Sequence, residues 1–365
     1  MRILHVIARM NVGGTSTYLT NLISGTQLSG IENLLAVGNV PSNEMEDKKF
    51  YNLNFVRLGE LSRNVSPLKD YRSRKELKEI ISEFNPDIIH SHTFKAGFLC
   101  RTIRTKAKLI HTFHGHHLYD PDYGRIKNLI LNSIEKFLAR KNAAIITIGK
   151  RVRSEILAAG IGNEQQMISI PPGIEPPKSL SKSSVLNSLG LKEARIIVLW
   201  MGRLTRVKRP DRVIAIAKRF PDIDFVIAGD GELRGEVENE ASANVHVLGV
   251  QDADEMWSIA DIALLTSDSE GMPLTLIEAQ MAGVPAISTD VGSVAEIVLE
   301  GTTGFVTAPK IEDLCSKLEI LINDDMLRNT MSMQSKTRSL TEFSIEKMVS
   351  SHLELYKQVI SMRKV

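Results

Sequence analysis

The stretch Pro171–Ser184, PPGIEPPKSLSKSS, interrupts a regular alternation of strand-like and helix-like segments near the middle of the 365-residue chain. Its proline and serine content is typical of a connection between two domains. After it, the apolar run Ile196–Met201 begins a new strand, much as Ile3–Ala8 does near the N-terminus. No repeat is detectable residue by residue, but the two halves follow the same plan. We therefore predict one domain over 1–175 and a second over 176–345.

Short apolar runs alternate with helical patterns on both sides of this connection, which is typical of parallel sheets covered by helices on both faces. The further runs that we predict to be buried strands are Ile88–His90, Leu109–Phe113, Ala144–Ile148, Phe225–Gly229, Ile262–Leu265 and Pro285–Ser288. The expected fold class is therefore α/β, with two doubly wound Rossmann-like domains facing a cleft. A single barrel is the alternative, but it would have to hold the proline-rich connection inside it.

The composition indicates a soluble globular protein, with 43% hydrophobic and 24% charged residues. No apolar run approaches the roughly 20 residues that span a bilayer, and no cleavage-site pattern follows the first strand. Cys100 and Cys315 lie far apart, which predicts neither a disulfide framework nor a cysteine zinc site. We expect an intracellular, cytoplasmic protein.

The formal net charge of +2 conceals a difference between the two halves. Residues 1–175 contain 24 Lys or Arg and 16 Asp or Glu, which gives +8, whereas residues 176–365 contain 21 and 27, which gives −6. The difference indicates either domains that meet different partners or a chance distribution over solvated faces.

Ligands of parallel α/β sheets bind beyond the carboxyl ends of the strands, so the loops there are the first candidates for a site. After the first strand, Gly13 and Gly14 precede a helical stretch. Adjacent glycines allow a ligand to approach closely, and a helix start offers unpaired N–H groups to an anion. A tight turn without a ligand is the alternative for this pair.

The segment HTFHGHH, residues 111–117, places four histidines at the end of a predicted strand. No carboxylate lies nearby at ligand spacing, so we predict no metal site here. His114, beside a glycine, is predicted to hydrogen-bond a sugar hydroxyl or to take part in proton transfer. The sequence leaves open which of His111, His114, His116 and His117 faces the ligand, and at least one is expected to be structural.

A basic loop, GRLTRVKRP, follows the strand Ile196–Met201 and contains Arg203 and Lys208. A guanidinium and a mobile ammonium together suit a diphosphate, although such a loop can equally be a solvated surface. The glycine-rich AGDGELRG that follows the run beginning at Phe225 imitates a dinucleotide fingerprint, but its spacing is G-x-G-x-x-x-G. We interpret it as a strand-to-helix turn.

The segment SDSEGMPLTLIEAQMAG carries the most specific pattern in the chain. Pro273 is predicted to be the first residue of a helix that ends at Gly283. Gly271–Thr275 would then form a helix N-terminus that binds phosphate. Glu278, one turn into the helix, could reach ribose hydroxyls, and Glu270 would lie where the rest of the ligand emerges. An ordinary surface helix is the alternative, but it rarely combines all these features.

Together, these motifs resemble the retaining glycosyltransferases of family 4 (glycosyltransferase group 1), which have the GT-B fold. The glycine pair, HG at His114, GRL with its downstream lysine, AGDG and EGMPLTLIE occur in the order of that family from Met1 to about Gly304. The E-x7-E pair of Glu270 and Glu278 is the most specific of these elements.

The resemblance implies that the C-terminal domain holds a nucleotide-sugar donor and the N-terminal domain an acceptor. It assigns donor binding to Gly14, Arg203, Lys208, Gly271, Met272, Pro273, Leu274 and Glu278, and catalysis to His114, Glu270, Arg203 and Lys208. It implies no metal and no separate cofactor, since the two cations and the helix N-terminus neutralise the departing nucleotide. It also implies that a C-terminal helix, 346–365, packs back on the first domain.

The activity expected from the resemblance is transfer of a hexose, with retention, from a nucleotide-diphosphate sugar, most often UDP in this family. The acceptor would be a glycan or a lipid-linked molecule of cell-envelope polysaccharide biosynthesis. A nucleotide-sugar epimerase of the same fold and a non-catalytic two-lobed binding protein are the alternatives. The basic first domain predicts peripheral contact with an anionic membrane and no nucleic-acid partner. Two clusters could supply the charge: Arg101, Arg104, Lys106 and Lys108, or Lys150, Arg151 and Arg153.

Overall fold

The computed structural model describes residues 1–42, 44–62, 66–115, 125–191 and 195–362, with the side chain of Arg125 excepted. The chain folds into two compact units. Unit 1 contains Met1–Ile174 together with Ile345–Val365, and unit 2 contains Glu175–Ser344. The division therefore falls inside the proline-rich stretch Pro171–Ser184, one residue from the predicted boundary.

Unit 1 is built on one parallel sheet. Its strands in the described residues are β1 (Arg2–Ile7), β2 (Glu32–Val37), β3 (Phe55–Arg57), β4 (Ile88–His92), β5 (Lys108–Phe113), β6 (Ala144–Thr147) and β7 (Met167–Ser169). They lie in the order β3-β2-β1-β4-β5-β6-β7. The chain order reverses between β1 and β4, so the carboxyl ends of these two strands form the topological switch point, where such sheets bind ligands.

Helices pack on the sheet of unit 1 and bury its apolar strands. They are α1 (Gly14–Leu28), α2 (Pro67–Phe84), α3 (Phe94–Thr102), α4 (Arg125–Ala139) and α5 (Lys150–Ala158), with a short 3-10 helix at Lys48–Asn52. Leu77 of α2 and Leu99 of α3 pack with Leu4 and Ile89 of the sheet in one core cluster. α2 begins at Pro67 because the fixed φ of proline suits a first helical position.

Unit 2 repeats this plan with a second parallel sheet. Its strands in the described residues are β8 (Ile197–Met201), β9 (Asp224–Ala228), β10 (Val245–Gly249), β11 (Ile262–Leu265), β12 (Ala286–Thr289) and β13 (Gly304–Thr307). The order is β10-β9-β8-β11-β12-β13, which places the switch point between β8 and β11. The predicted fold class, two doubly wound Rossmann-like domains, is confirmed for each unit.

The helices of unit 2 connect these strands and cover the sheet. They are α6 (Lys182–Leu189), a 3-10 helix at Arg206–Lys208, α7 (Pro210–Ala217), α8 (Arg234–Glu240), α9 (Ala253–Ile259), α10 (Leu274–Ala282), α11 (Val294–Ile297), α12 (Ile311–Asn323) and α13 (Asp325–Glu342). As predicted, the AGDG segment is the turn between β9 and α8. A Cβ at Gly229 would overlap the carbonyl oxygen of Gly202, so glycine lets the loops after β8 and β9 pack together.

The last helix, α14 (Ile345–Ser361), returns to unit 1 and packs on α1. A Cβ at Gly25 of α1 would overlap Val349 of α14, so the helices approach closely there. Two buried hydrogen bonds add to this contact: Tyr18 Oη lies 2.8 Å from His352 Nε2, and Tyr356 Oη lies 2.8 Å from His90 Nδ1. Among the described residues, no helix is long and apolar enough to cross a membrane.

The predicted strands all occur, with ends that differ by at most two residues. The strands that we did not predict are β2, β3, β7, β10 and β13, and four of these lie at the edges of the sheets. β3 and β7 have only three residues each, and an edge strand pairs on one side only. Such strands need no long apolar run, so they leave little signal in the sequence.

Candidate functional site

The predicted donor-binding residues of unit 2 lie on the loops that follow β8 and β11, the neighbouring strands at the switch point. Thr266 connects the two loops, since its hydroxyl lies 2.9 Å from the carbonyl oxygens of Lys208 and Arg209. The indole N–H of Trp200, on β8, donates to the same hydroxyl at 3.0 Å. These buried contacts fix the course of both loops.

Lys208 and Glu270 meet at this place, although 62 positions separate them in the sequence. Lys208 Nζ donates to Glu270 Oε1 at 2.5 Å, and the hydroxyl of Ser267 donates to the same oxygen at 2.6 Å. Both charged side chains are partly buried. An ammonium has three N–H donors, so the contact with Glu270 leaves donors for a phosphate oxygen.

The cations in and directly after the basic loop differ in their contacts. Arg209 and Arg212 both contact Asp268, at 3.0 and 2.6 Å, and therefore hold the loop in place. Arg203 is exposed, and its guanidinium has no partner within the ranges that the structure covers. Arg203 and Lys208, the two predicted donor ligands, thus both have N–H groups to offer.

The helix α10 begins beside Glu270, as predicted, but one residue later. Pro273 is the N-cap, with φ −71° and ψ 119°, and Leu274 is the first helical residue. The predicted end at Gly283 is confirmed, because this residue has φ +82°, a left-handed conformation that favours glycine. The first amides of a helix have no acceptor within it, so Leu274 and Thr275 offer N–H groups at this end.

Glu278 lies on the second turn of α10 and is half-buried. The indole N–H of Trp257, on α9, donates to Glu278 Oε2 at 3.1 Å. Trp257 is buried, so this bond both satisfies the indole and restricts the carboxylate. Glu278 is therefore held on the helix whose N-terminus would bind phosphate.

The loop after β12 packs against the loop that carries Glu270. Ser293 donates its backbone N–H to the carbonyl oxygen of Gly271 at 2.8 Å. Gly292 has φ +52°, and a Cβ there would overlap the carbonyl oxygen of Glu270. Glycine at position 292 is therefore required for the close approach of the two loops.

In unit 1, Gly13 and Gly14 lie at the start of α1, directly after the switch-point strand β1. Gly13 is the N-cap with φ +151°, and Gly14 is the first helical residue and is exposed. No side chain of this pair covers the first amides of a 15-residue helix. The backbone at Gly14 is therefore accessible to an anion or a polar ligand.

His114 follows β5 and is half-buried, in contact with Tyr18 and His92. The His114 ring lies edge to face with Tyr18 at a centroid distance of 4.7 Å, and its Nε2 lies 3.1 Å from His92 Nδ1. Burial, with a smaller contribution from His352, lowers the pKa of His114 to about 3. The side chain is therefore neutral at physiological pH and acts as a hydrogen-bonding group rather than a cation.

Of the other histidines of HTFHGHH, only His111 lies within the described residues. His111 is fully buried, and its Nδ1 lies 2.9 Å from the hydroxyl of Ser91, which makes it the structural histidine that we expected. His116 and His117 lie outside the described residues. Of the two described members, His114 is the one that can reach a ligand.

Three other histidines come close enough together to be considered as metal ligands: His5, His90 and His92. Their contacts favour hydrogen bonding instead. His90 uses Nδ1 for Tyr356 and Nε2 for Thr112, at 2.8 and 2.6 Å, and His5 Nδ1 lies 3.3 Å from His92 Nε2. The absence of a metal from the reaction stays a prediction.

Several residues around the candidate site could not be identified from the sequence. Trp257 belongs to an ordinary helical pattern, which gives no sign that its indole would contact Glu278. Ser267 and His92 occur at strand ends, which is a weak signal by itself. Their partners depend on which strands are neighbours, and sequence spacing does not contain that information.

The fold defines a class of protein: two Rossmann-like units, one of which brings Lys208, Glu270 and the start of α10 together at its switch point. A family model described as "Glycosyltransferase Family 4" matches residues 12–177, and one described as "Glycosyl transferases group 1" matches residues 181–338. The two matches together cover most of the chain. The protein is a glycosyltransferase with the GT-B fold.

A curated relative supports this class from sequence. The chain is 27% identical over 322 residues to UDP-Gal:alpha-D-GlcNAc-diphosphoundecaprenol alpha-1,3-galactosyltransferase of Escherichia coli, with 82% of each chain covered.

Two solved structures support the fold. The sucrose-phosphate synthase of Thermosynechococcus elongatus has a TM-score of 0.86 at 18% identity, with 99% of each chain covered. Anabaena Alr3699/HepE, in complex with UDP and glucose, has a TM-score of 0.84 at 17% identity, with 98% of this chain and 100% of that chain covered. At these identities the two structures are evidence for the GT-B fold alone.

Proposed function

We propose that the protein transfers a hexose from a UDP-sugar to a sugar carried on a polyprenyl diphosphate, with retention of configuration at the anomeric carbon and without a metal. The observation that carries this proposal is the meeting of Lys208 and Glu270 beside the N-terminus of α10. The nucleotide and the acceptor class follow from the E. coli relative, whose name includes UDP-Gal and a diphosphoundecaprenol-linked sugar.

The proposed roles in unit 2 follow from the chemistry of each group. Arg203 and Lys208 would bind the diphosphate and stabilise the negative charge that grows on it as the bond to the sugar breaks. The amides at the start of α10 would bind the same phosphates. Glu278 would accept hydrogen bonds from the ribose hydroxyls, and Glu270 from a hydroxyl of the donor sugar.

The proposed roles in unit 1 concern the sugar and the acceptor. The exposed backbone at Gly14 would approach the donor phosphates, and His114 would contact a sugar hydroxyl. In the transfer itself, the bond between the anomeric carbon and the diphosphate oxygen breaks, and the acceptor hydroxyl forms the new bond on the same face. The proton of that hydroxyl would pass to the departing phosphate oxygen. Two cations and a helix N-terminus supply the charge that this step needs.

The test of this function is an assay with purified protein and a panel of UDP-, GDP- and ADP-hexoses. The acceptor is a synthetic polyprenyl diphosphate that carries N-acetylglucosamine. We expect release of UDP that depends on the acceptor, an axial linkage from an axial donor by NMR, and full activity in the presence of EDTA. Isomerisation of the donor without an acceptor would support an epimerase instead, and tight binding of UDP with neither reaction would support a binding protein.

We also propose that unit 1 contacts an anionic membrane through one face of α4. Ile126, Leu129, Ile130 and Phe137 are all exposed on this helix, with 76% of Ile126 and 58% of Phe137 accessible to solvent. Their spacing places them on one side of the helix. Exposed Lys127, Lys136, Arg140 and Lys141 flank this stripe. A cationic helix with an apolar face is the pattern of a helix that lies in a membrane surface.

This surface differs from the clusters that the sequence predicted. Arg101, which we expected to face the membrane, is fully buried, and its guanidinium forms a two-point contact with Glu135 of α4 at 2.7 and 2.8 Å. Lys108 donates to the carbonyl oxygen of Met362 at 3.0 Å, and Arg153 pairs with Glu164. These side chains therefore hold the fold together rather than form a surface of free charge.

Flotation with liposomes tests the membrane proposal. Liposomes with phosphatidylglycerol should bind the protein at low salt and release most of it at high salt, because salt screens the lysines and arginines. Ile130→Asp combined with Phe137→Asp should abolish binding and leave transfer to a soluble short-chain acceptor unchanged. The matched control is Leu68→Asp, an exposed apolar residue on α2. Unchanged binding by the α4 variant would overturn this placement.

A further inference from the structure

The two carboxylate oxygens of Glu270 have different surroundings. Oε1 accepts hydrogen bonds from Lys208 Nζ at 2.5 Å and from the Ser267 hydroxyl at 2.6 Å. Within the part of the chain that the structure describes, no residue donates to Oε2, and this oxygen is not sealed from solvent. The side chain as a whole is 10% exposed, so Oε2 is the oxygen that a ligand can reach.

Ser267 is itself held in a fixed place. It is buried and lies shortly after the end of β11. Its carbonyl oxygen accepts from the hydroxyl of Thr289 at 2.7 Å, and Thr289 ends β12, the strand beside β11. A serine hydroxyl has one proton, and Ser267 uses this proton in the hydrogen bond to Glu270 Oε1. Ser267 is therefore a fixed donor that faces one oxygen of Glu270.

The ammonium of Lys208 cannot fix the carboxylate in the same way. The last torsion of a glutamate side chain has a broad, roughly two-fold preference, so the side chain of Glu270 does not itself distinguish its two oxygens. An ammonium is a compact charge on a flexible stem, and it attracts either oxygen. Without the Ser267 hydroxyl, the carboxylate could turn both oxygens toward Lys208. The hydroxyl of Ser267 is thus the group that distinguishes Oε1 from Oε2.

We propose that Ser267 is a positioning residue, which keeps Glu270 Oε2 directed at a hydroxyl of the donor sugar. This inference rests on the proposed function, which makes a sugar hydroxyl the partner of Glu270. An oxygen in a fixed place accepts well from a hydroxyl in a limited range of directions, and epimeric hexoses direct one hydroxyl differently. The choice between epimers at that carbon would then depend on Ser267, a residue that does not touch the substrate.

A purely structural role for Ser267 has different consequences. Its hydroxyl bonds to a residue only three positions later, a contact that could serve simply to hold the loop. Loss of the loop structure would weaken the binding of UDP and of every UDP-hexose alike, because the loop leads into α10, where the diphosphate and the ribose are proposed to bind. Loss of positioning would instead affect the sugar and leave the binding of UDP nearly unchanged. A comparison of UDP with UDP-hexoses therefore separates the two roles.

The first experiment determines crystal structures of the whole protein without any ligand. In the wild type we expect Lys208 Nζ and Ser267 Oγ on the same oxygen of Glu270. In Ser267→Ala the carboxylate should turn and bring both oxygens toward Lys208 Nζ. Ser267→Thr keeps a hydroxyl on the same carbon and should keep the wild-type orientation. The matched control is Ser335→Ala, which removes another buried serine hydroxyl of unit 2, one that bonds to Thr303 O, and should leave Glu270 unchanged.

The second experiment combines calorimetry with UDP and steady-state kinetics with UDP-glucose, UDP-galactose and analogues of both that lack one sugar hydroxyl. Ser267→Ala should bind UDP with nearly the affinity of the wild type. At one carbon of the sugar, its discrimination against the analogue in kcat/KM should fall about tenfold, because the hydrogen bond to the charged oxygen loses its fixed direction. Ser267→Thr should restore that discrimination, and Ser335→Ala should not change it.

The outcomes separate this inference from the proposed function. A wild-type orientation of Glu270 in Ser267→Ala, or an equal loss of affinity for UDP and for the UDP-hexoses, would overturn the positioning role while transfer itself stands. If no UDP-hexose is turned over, the proposed function fails, and the crystal structures still decide what orients Glu270. Ser267→Cys has nearly the size of serine but only a weak S–H donor, so it should also lose discrimination, and it tests the inference if the alanine variant does not fold.

Discussion

Lys208 Nζ donates to Glu270 Oε1 at 2.5 Å, so the two charges are in direct contact. Lys208 lies in the segment that follows β8, and Glu270 lies in the loop that follows β11. The pair therefore occupies the switch point of unit 2, where the fold itself predicts a ligand. The contact also keeps the ammonium in a fixed place, so a diphosphate would find it already positioned.

Lys208→Met should lower kcat by about 100- to 1,000-fold with a much smaller change in KM, because the ammonium acts most strongly on the charge of the departing diphosphate. Steady-state kinetics with the best UDP-hexose of the panel measure this split. Arg206→Met, an exposed cation on the same 3-10 helix, is the matched control and should stay near wild type. An unchanged kcat for Lys208→Met would remove this residue from the reaction.

Glu278→Ala should weaken the binding of UDP about tenfold, since it removes the acceptor for a ribose hydroxyl. Calorimetry with UDP and with 2′-deoxy-UDP tests the contact, because the variant should no longer distinguish the two. Trp257→Phe deletes the N–H that holds the carboxylate and should have a smaller effect in the same direction. Glu319→Ala, an exposed acid on α12, is the control. Equal affinities for wild type and Glu278→Ala would place the ribose elsewhere.

Gly292→Ala should destabilise unit 2 by about 1–3 kcal/mol, because its new Cβ would overlap the carbonyl oxygen of Glu270 at a residue with φ +52°. The displaced loop should also reduce kcat/KM, since it carries Glu270. Urea unfolding followed by tryptophan fluorescence measures the stability. Gly235→Ala is the control, since no atom lies within 4 Å of its Cβ and its place within α8 favours alanine. A Gly292→Ala protein as stable and active as wild type would contradict the packing of these loops.

Glu135→Ala should cost about 3–5 kcal/mol of unfolding free energy, because it leaves the guanidinium of Arg101 buried without its partner. The double variant Arg101→Met with Glu135→Leu should recover most of that loss. Urea unfolding followed by circular dichroism measures both. For comparison, Arg234→Ala removes exposed pairs with Asp230 and Glu238 and should cost far less, because water and salt screen exposed pairs. Similar costs at the two sites would mean that the Arg101 pair is not desolvated.

The Arg101 pair shows where the sequence was insufficient. A basic cluster with Arg101 and Arg104 in a basic domain gives no sign that one member is buried and the other is exposed. That difference depends on the position of α4, because Glu135 on this helix provides the partner for Arg101. Charge patterns predict the sign of a surface, and long-range contacts decide which charges belong to it.

The unit 2 site was predictable to a greater extent, because it depends on local rules. Pro273 and Gly283 mark the ends of α10 by their own backbone preferences, and strand-end loops meet at a switch point whatever their length. The position of His92 among other histidines was not predictable in this way. Its contacts with His5 and His114 require the order of β1, β4 and β5 in the sheet.

Acid should destabilise unit 1 before unit 2, because the buried histidines are concentrated in unit 1. His5, His90, His92, His111 and His352 are all fully buried there, and burial lowers the pKa of each. For His5 the value falls to about 3 and for His352 to about 4, against 6.5 for the ordinary side chain.

The lowered pKa values make the unfolding free energy of unit 1 depend on pH. Below pH 6.5 these histidines are protonated in the unfolded chain but remain neutral in the folded unit. The unfolding free energy therefore falls as the pH falls. The loss levels off only below the pKa values of the folded state. At pH 5, His5 and His352 should each cost about 2 kcal/mol relative to pH 7. The other three buried histidines add to this loss, which then becomes a large part of the stability of an ordinary domain.

The chain contains the spectroscopic probes for this experiment. Both tryptophans, Trp200 and Trp257, are buried in unit 2, whereas all six tyrosines lie before Ile174 or in α14. Near-ultraviolet circular dichroism of tyrosine should therefore be lost between about pH 6 and 5, before the tryptophan fluorescence changes. His352→Gln removes one of these histidines and keeps a polar group beside Tyr18, so it should move the tyrosine transition to lower pH. His246→Gln in unit 2 should not move it. A tyrosine signal that is constant from pH 7 to 5 would show that these histidines are not buried as neutral groups.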